Sequence, residues 1–418
     1  MSVRHKIYPD SVKHGIPTLG PLRPGWQRFH IGDLFEEALR PVQMDDQTEY
    51  DLITVKRSRG GAVKRETLLG RDIAVKTQFR VEANDFLISK RQIVHGACAV
   101  VPPELAGSIV SNEYAVLRCR SNIDIRFLNY LSHSIYFQET CFHSSIGVHV
   151  EKMIFKLADW FNWEIDIPVG EEQQQIIDFL SSVDHRLSAL RRKRSLLEDY
   201  KRGVMQQIFS QEIRFKRKDG KNFPMWEERE LGKIGKTYGG LNGKSANDFG
   251  DGFPFVTYTQ IFRSSYVQPD DCGLVRVGKN ENQNEVRVGD VLFTASSETP
   301  DEVGYASAVC TEIPKTYLNS FSFGFRPNKI DDLIPEFSRY LFRSNKYRAL
   351  IFPLAQGITR YNISKSSFLK LKLCFPHPDE QRKIADFLSA IDAKIDAVAG
   401  QANHTETYKK GLLQQMFV

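Results

Sequence analysis

Apolar residues in the middle of the chain fall at Ile176, Leu180, Val183, Leu187 and Leu190, then at Leu197, Val204 and Ile208, in steps of three, four or seven. A 3.5-residue period of this kind predicts one long helix with a narrow apolar stripe, which needs a second helix to cover it. The chain supplies that helix: Ile384, Leu388, Ile391, Ile395, Val398, Leu412 and Met416 repeat the stripe. Residues 168–209 align with 376–417 without a gap at one constant shift (384 − 176 = 208), with 17 of 42 positions identical. The two helices are expected to pair as an antiparallel coiled coil, with Ile176, Leu180, Val183, Leu187 and Leu190 packing with Ile384, Leu388, Ile391 and Ile395. At 1.5 Å per residue, a helix over 171–209 is roughly 55 to 60 Å long, enough to hold two globular units at a fixed distance. Pro168 and Pro378 break the preceding strands, and Glu171-Glu172 and Asp379-Glu380 sit in the first turns, where they favour the helix dipole. Arg194 and Lys201, and Ala402, Thr405 and Lys409, interrupt the seam; polar seam residues weaken packing and fix register. Ordinary amphipathic helices of a bundle are the plainer reading, and the unbroken spacing argues against it.

The repeat extends beyond the helices. Trp26 and Gly32 match Trp226 and Gly232 at a shift of 200 (226 − 26 = 200). In the first half, strand-like segments at 51–55, 86–89, 97–101 and 114–119 precede a helical stretch at 126–140 and an alternating segment from Trp163. Their counterparts are segments from Phe253, Val291, Gly304 and Ser320, a helical stretch at 335–352, and a strand before Pro376. Asn84-Asp85 and Gly289-Asp290 introduce equivalent strands, and Gly147 and Gly357 follow equivalent helices. The fold class is α+β: two similar α+β domains joined by two long helices, with internal pseudo-two-fold symmetry. Such symmetry suits a ligand with two halves. The expected divisions are an arm at 1–24, a first domain at 25–167, a first helical region at 168–210, a linker at 211–224, a second domain at 225–375 and a second helical region at 376–418.

Composition adds limits. At 418 residues, 41% hydrophobic and mean hydropathy −0.37, the chain is expected to be soluble, with several cored domains. No run of about 18 apolar residues and no leader pattern appears, so neither membrane nor export is expected. The six cysteines are scattered without a Cys-x-x-Cys pair, which fits reduced thiols in a cytoplasmic protein. The net charge of +6 is only mildly basic, but its cations cluster at 56–59, 64–65, 90–91, 191–194 and 214–221. Such clusters suit contacts to a phosphate backbone.

Catalytic patterns are missing. The Tyr238-Gly-Gly-Leu-Asn-Gly-Lys-Ser245 segment has tyrosine where a phosphate-binding loop needs its first glycine. No Asn-Pro-Pro-aromatic or Asp-Pro-Pro-aromatic loop is present, no acidic-x-Lys triplet follows Pro269-Asp270 at a useful distance, and the ten histidines show no metal spacing. Base reading calls for polar, cationic and aromatic side chains at loops and strand ends. In the first domain the candidates are Arg57, Ser58, Arg59, Lys64 and Arg65 on a loop flexible at Gly60-Gly61, with Lys90, Arg91 and Gln92 at a strand end. In the second they are Asn242, Lys244, Ser245, Tyr258, Gln260, Arg263, Ser296, Ser297, Thr359, Arg360 and Asn362. For any one of these a solvated surface role is the plainer reading; as sets they point to DNA.

PDEQRKIADFLSAIDAKID followed by YKKGLLQQMF, the matching first copy, and the junction IRFKRKDGKNFPMWEERELGKI resemble the specificity (S) subunits of type I restriction-modification systems. The resemblance implies two target recognition domains, each reading one half of a bipartite, asymmetric double-stranded DNA target across an unread spacer. It also implies that two modification (M) subunits dock on the helices and methylate adenine from S-adenosylmethionine, and that two restriction (R) subunits add ATP- and Mg-dependent translocation and cleavage. The catalytic residues and cofactors then belong to those partners, with none in this chain. Two other classes stay open: a stand-alone DNA-modifying or cleaving enzyme with degenerate motifs, and a coiled-coil protein-interaction scaffold.

Overall fold

A computed structural model describes residues 15–120 and 123–417; the first 14 residues of the expected arm lie outside them. The chain divides into two units, 1–190 with 400–418, and 191–399. Both divisions fall inside the long helices, Glu171–Phe209 and Pro378–Met416, which have 39 residues each.

In the first unit, strand Trp26–His30 pairs antiparallel with Glu164–Pro168 and brings the domain's beginning to the start of the long helix. A four-stranded sheet follows, ordered Phe35–Glu37, Tyr114–Cys119, Phe86–Ser89, Cys98–Val100. Its two central strands are buried on both faces, which explains their unbroken apolar runs. Phe86, Ile88, Ala115 and Leu117 face a core with Phe127, Phe137 and Trp160. Leu87 and Val116 face Ile53, Val55 and Val110 of a second four-stranded sheet, ordered Ala62–Leu69, Glu49–Val55, Ile109–Ser111, Gln78–Arg80.

The second unit repeats the plan. Glu227–Glu230 pairs with Lys372–Phe375, and a four-stranded sheet is ordered Gly235–Gly239, Ser322–Pro327, Val291–Thr294, Ala306–Ala308. Val291, Phe293, Phe323 and Phe325 face the core that holds Phe337, Tyr340 and Phe368, while Leu292 faces the opposite way, toward Val256 and Leu318.

Each expected single helical stretch is two helices: Ile125–Leu131 and Ile135–His143, then Pro335–Leu341 and Asn345–Ile351. The break comes from a serine at the second N-cap. The Ser134 and Ser344 hydroxyls accept from the Phe137 and Tyr347 amides, satisfying donors that the helix leaves free. The strand expected from Phe253 ends at Val256, and its second part, from Tyr258, belongs to a helix, Tyr258–Arg263, capped by Thr257. Lys64 and Arg65, expected on a loop, belong to a strand, Ala62–Leu69, paired with Glu49–Val55.

Helix pairing is antiparallel within each unit. In the first, Lys409 Nζ lies 2.6 Å from Asp184 Oδ1, and nearer the helix start the Trp26 indole donates to Glu172, while Arg23, stacked on that indole, reaches the Met416 carbonyl. In the second, Lys201 pairs with Asp392 at 2.5 Å and, further toward the helix start, Arg214 with Glu380 at 2.7 Å. Ile176, Leu180, Val183, Leu187, Ile384, Leu388 and Ile391 are buried as expected. Leu190 and Ile395 are half-buried, so they contribute less to the seam than their spacing suggests. Leu413 and Phe417, with Met416 partly buried beside them, pack into the first core, whereas Leu412 is only half-buried.

The Lys201 and Lys409 interruptions have a structural use. Asp184 also accepts from the Tyr130 hydroxyl at 3.0 Å, and Tyr130 lies 3.2 Å from Ser181 Oγ. Asp392 likewise accepts from Tyr340 at 2.7 Å, with Ser389 Oγ 3.1 Å away. Each network joins three elements: a domain helix, the first half of one long helix and the last half of the other. Burial raises the Tyr130 hydroxyl to about 12, so it stays a donor.

Candidate nucleic-acid interface

The first domain's candidates gather round the hairpin turn between Glu49–Val55 and Ala62–Leu69. Ser58 and Arg59 both adopt left-handed backbone conformations, with φ of 55° and 56°. Non-glycine residues hold that geometry only where the surroundings impose it. Here the Ser58 amide donates to the His95 carbonyl at 2.7 Å and the Arg59 amide to the Gly96 carbonyl at 2.8 Å. The loop expected to flex at Gly60-Gly61 is therefore tied down, and Lys64 and Arg65 lie on the strand after it rather than on the loop.

The same fastening sorts the cations. The Arg59 guanidinium donates to the Ser132 carbonyl and, at 2.8 Å, to Gln138 Oε1, so it braces the turn from inside. Arg57 is 54% exposed and donates to Gln92 Oε1 at 2.8 Å and Glu151 Oε2 at 3.1 Å. Lys64 pairs with Asp51 at 2.8 Å, holding that carboxyl below the usual carboxylate range. Arg65 bonds Glu66, Arg91 bonds Glu113, and Lys90 donates to the Asn112 carbonyl. Exposed pairs of this kind are worth little, so they can be exchanged for phosphate. Arg57, Ser58 and Arg59 border a cavity of about 600 Å³ with His95, His133, Gln138, Lys410 and Gln414. Burial, then the positive Arg59 and Lys409, lowers His133 to about 4.

In the second domain, Tyr258, Ser296, Ser297 and Arg360 line one cavity of about 280 Å³ with Glu298, Glu302 and Phe321. Ser296-Ser297 pair with Tyr361-Asn362, which fastens the 356–362 loop to the strand end. Arg360 lies over the Phe321 ring at 5.9 Å, Ser297 donates to Glu302, and the Tyr258 hydroxyl is buried without a hydrogen-bond partner. Thr359 and Arg263 are exposed nearby in sequence. Three candidates have other work. The Lys244 side chain is only 6% exposed and is engaged by Glu281. Ser245 forms a capping box with Asp248. Gln260 is buried and donates to the Gln268 carbonyl. Asn242 is exposed and tied to Gln283 through its backbone.

The two sets correspond. Lys90-Arg91-Gln92 and Ser296-Ser297 follow the equivalent strands Phe86–Ser89 and Val291–Thr294. Sequence reading named Thr359 and Arg360 but missed Glu151, Glu302, Phe321 and the apolar tips, Val148 and Ile358, of the loops after Gly147 and Gly357. Only the equivalence of those glycines signalled the last. Among the described residues no group of three or more His, Cys, Asp or Glu side chains is placed to hold a metal, and no helix is long and apolar enough to cross a membrane.

Two repeated α+β units, each presenting one polar strand end and loop, with helix halves paired between repeats, define a protein built on one internally duplicated plan. The chain belongs to the type I restriction modification DNA specificity domain family, whose profile matches residues 24–198 and again 225–406. It is a specificity subunit of a type I restriction-modification system, a non-catalytic member, as its sequence resemblance implied. It is 23% identical over 305 residues to the type I restriction enzyme MjaVIII specificity subunit of Methanocaldococcus jannaschii, spanning 68% of each chain. Its fold matches a chain solved in work on complex assembly and conformational transition of the type I R-M system, with TM-score 0.61, 20% identity and 94% and 98% of the two chains covered. The HsdS subunit from Thermoanaerobacter tengcongensis matches at TM-score 0.52 and 20% identity, covering 95% and 97%.

Proposed function

We propose that this subunit reads a bipartite, asymmetric DNA target, one half-site per domain, and that its long helices set the unread spacer. The observation that carries the reading is the recurrence of one arrangement, a polar strand end beside a glycine-led loop, on two domains whose side chains there differ. Equal placement suits two half-sites of one duplex; different side chains suit different sequences. The contact residues are those with exposed or partly exposed side chains: Arg57, Ser58, Lys64, Arg65, Lys90, Arg91 and Gln92 in the first domain, and Asn242, Tyr258, Arg263, Ser296, Thr359, Arg360 and Asn362 in the second; Ser297 is buried and occupied with Glu302. Arg59, Lys244, Ser245 and Gln260 act by holding loops in shape.

The functional divisions are those of the repeat: recognition domains at 25–167 and 225–375, helical regions at 168–210 and 376–418, with an arm at 1–24 and a linker at 211–224 between. Two modification subunits, supplying S-adenosylmethionine-dependent adenine methylation, dock on the helical regions. Two restriction subunits bring ATP- and Mg-dependent cleavage for host defence in the cytoplasm. Mapping methylated adenines in cells carrying this chain with a modification subunit tests the reading. The expected result is one split motif whose halves lie about one helical turn, roughly 34 Å, apart. Adding one heptad to both helices changes the spacer and leaves the half-sites unchanged; an unaltered spacer refutes the ruler.

A further inference from the structure

The two most exposed large apolar side chains among the described residues are Ile358 and Val148, 96% and 88% exposed. They occupy the same place in the two domains, one residue after Gly357 and Gly147 (357 − 147 = 210), in the loop that follows the second helix of each pair. Isolated exposed aliphatics are common and carry no meaning. Recurrence at equivalent positions of two diverged domains is different.

The backbone closes tightly at both tips. A Cβ on Gly357 would lie 2.0 Å from the Arg360 carbonyl oxygen, and one on Gly147 would lie 2.8 Å from Met153 Cα. Only glycine lets the chain close so tightly. Each loop is then pinned at its base, by Gln356 and Asn362 exchanging both backbone hydrogen bonds and by Ile146 pairing with Ile154. The next side chain in each loop is left in water. In sequence both tips adjoin polar groups of the candidate interface: Ile358 precedes Thr359, Arg360 and Asn362, the last paired with Ser296, and Val148 precedes Glu151, which pairs with Arg57, and exposed Lys152. An exposed aliphatic group in a loop that also carries a cation, Arg360 in one and Lys152 in the other, suits a ligand that is anionic outside and apolar within. In duplex DNA the apolar feature open to a side chain in the major groove is the thymine C5 methyl.

We propose that Val148 and Ile358 are specificity-determining residues, each packing on a thymine methyl in its own domain's half-site. The proposal rests on the bipartite DNA-reading function above. The test uses the full chain assembled with its modification subunits and selection from randomised duplexes, comparing wild type, Val148→Ser and Ile358→Ser. Each variant is expected to lose about 10-fold in affinity for the selected target and to relax preference at one position of one half-site, a different half-site for each. Deoxyuridine in place of that thymine weakens wild type by the same factor and the variant no further. Unchanged affinity and preference in the variants overturns the proposal. So does a loss spread over all sequences that ignores the thymine-to-uracil change. A wild-type complex that selects no sequence would instead sink the DNA-reading function on which the proposal rests.

Discussion

Exchanging the two charges of a seam ion pair should be tolerated in one unit and not in the other. In the first unit Asp184 meets Lys409 and the Tyr130 hydroxyl. In the second, Asp392 meets Lys201 and Tyr340 and also Arg339, whose guanidinium lies 3.0 Å from Oδ2; Asn129 stands at the position equivalent to Arg339. Asp184→Lys alone sets two ammonium groups against each other in a half-exposed site. With an effective dielectric between that of water and about 20, the lost attraction and new repulsion together cost about 2 to 3 kcal/mol. Adding Lys409→Asp restores an opposite pair and leaves Tyr130 an acceptor, so the residual loss falls below about 1 kcal/mol. The same exchange with Lys201→Asp and Asp392→Lys leaves the new lysine facing Arg339, and about 2 kcal/mol of destabilisation should persist. Urea unfolding of the full chain, followed in each unit by hydrogen exchange of its domain amides, measures both. Equal rescue in the two units, or a cost under about 0.5 kcal/mol for Asp184→Lys, would refute the claim that these networks fix helix register.

Glu380 is fully buried and receives bonds from Arg214 and the Trp226 indole; Glu380→Gln strands the arginine and should cost about 2 to 3 kcal/mol by chemical denaturation. His133 titrates at about 4 in the folded protein against about 6.5 unfolded. The unfolded chain therefore binds the extra proton first, and stability held above pH 6.5 should fall by up to about 3 kcal/mol as pH drops toward 4. His133→Gln should flatten that pH profile relative to wild type. Arg57→Ala and Arg263→Ala should each weaken binding to the selected target by about 1 to 3 kcal/mol and relax preference at one position of the half-site that domain reads. Arg59→Ala should lower the melting temperature of the first domain, because its guanidinium braces a strained turn; a stable Arg59→Ala protein with only a binding defect would contradict that division of labour.

The long helices, their pairing and the doubled plan were legible because each leaves a local signature: a 3.5-residue stripe and a constant register shift. Strand Ala62–Leu69 was hidden because its middle residues, Lys64, Arg65, Glu66 and Thr67, are all exposed and show no alternation. Tyr258–Arg263 reads as strand by composition, yet the Thr257 cap and burial of Ile261 make it a helix. In the candidate interface, chemical type was readable and availability was not. Lys244 and Arg59 look like DNA contacts in sequence, and only the fold brings Glu281 to one and Ser132 and Gln138 to the other.

The first unit's hydrophobic core includes Leu413 and Phe417, more than two hundred residues beyond its own helix start. The second unit is one uninterrupted stretch of chain, 191–399. During synthesis the domain made first must therefore wait for the last turn of helix. At 5–20 residues per second the gap from residue 190 to 418 lasts roughly 10 to 45 s. Through that interval the earlier domain lacks the share of its core that Leu413 and Phe417 supply, and incompletely covered apolar surface of that kind is what chaperones bind. The later domain has no such delay, so the order in which the domains mature is the reverse of the order in which they are translated.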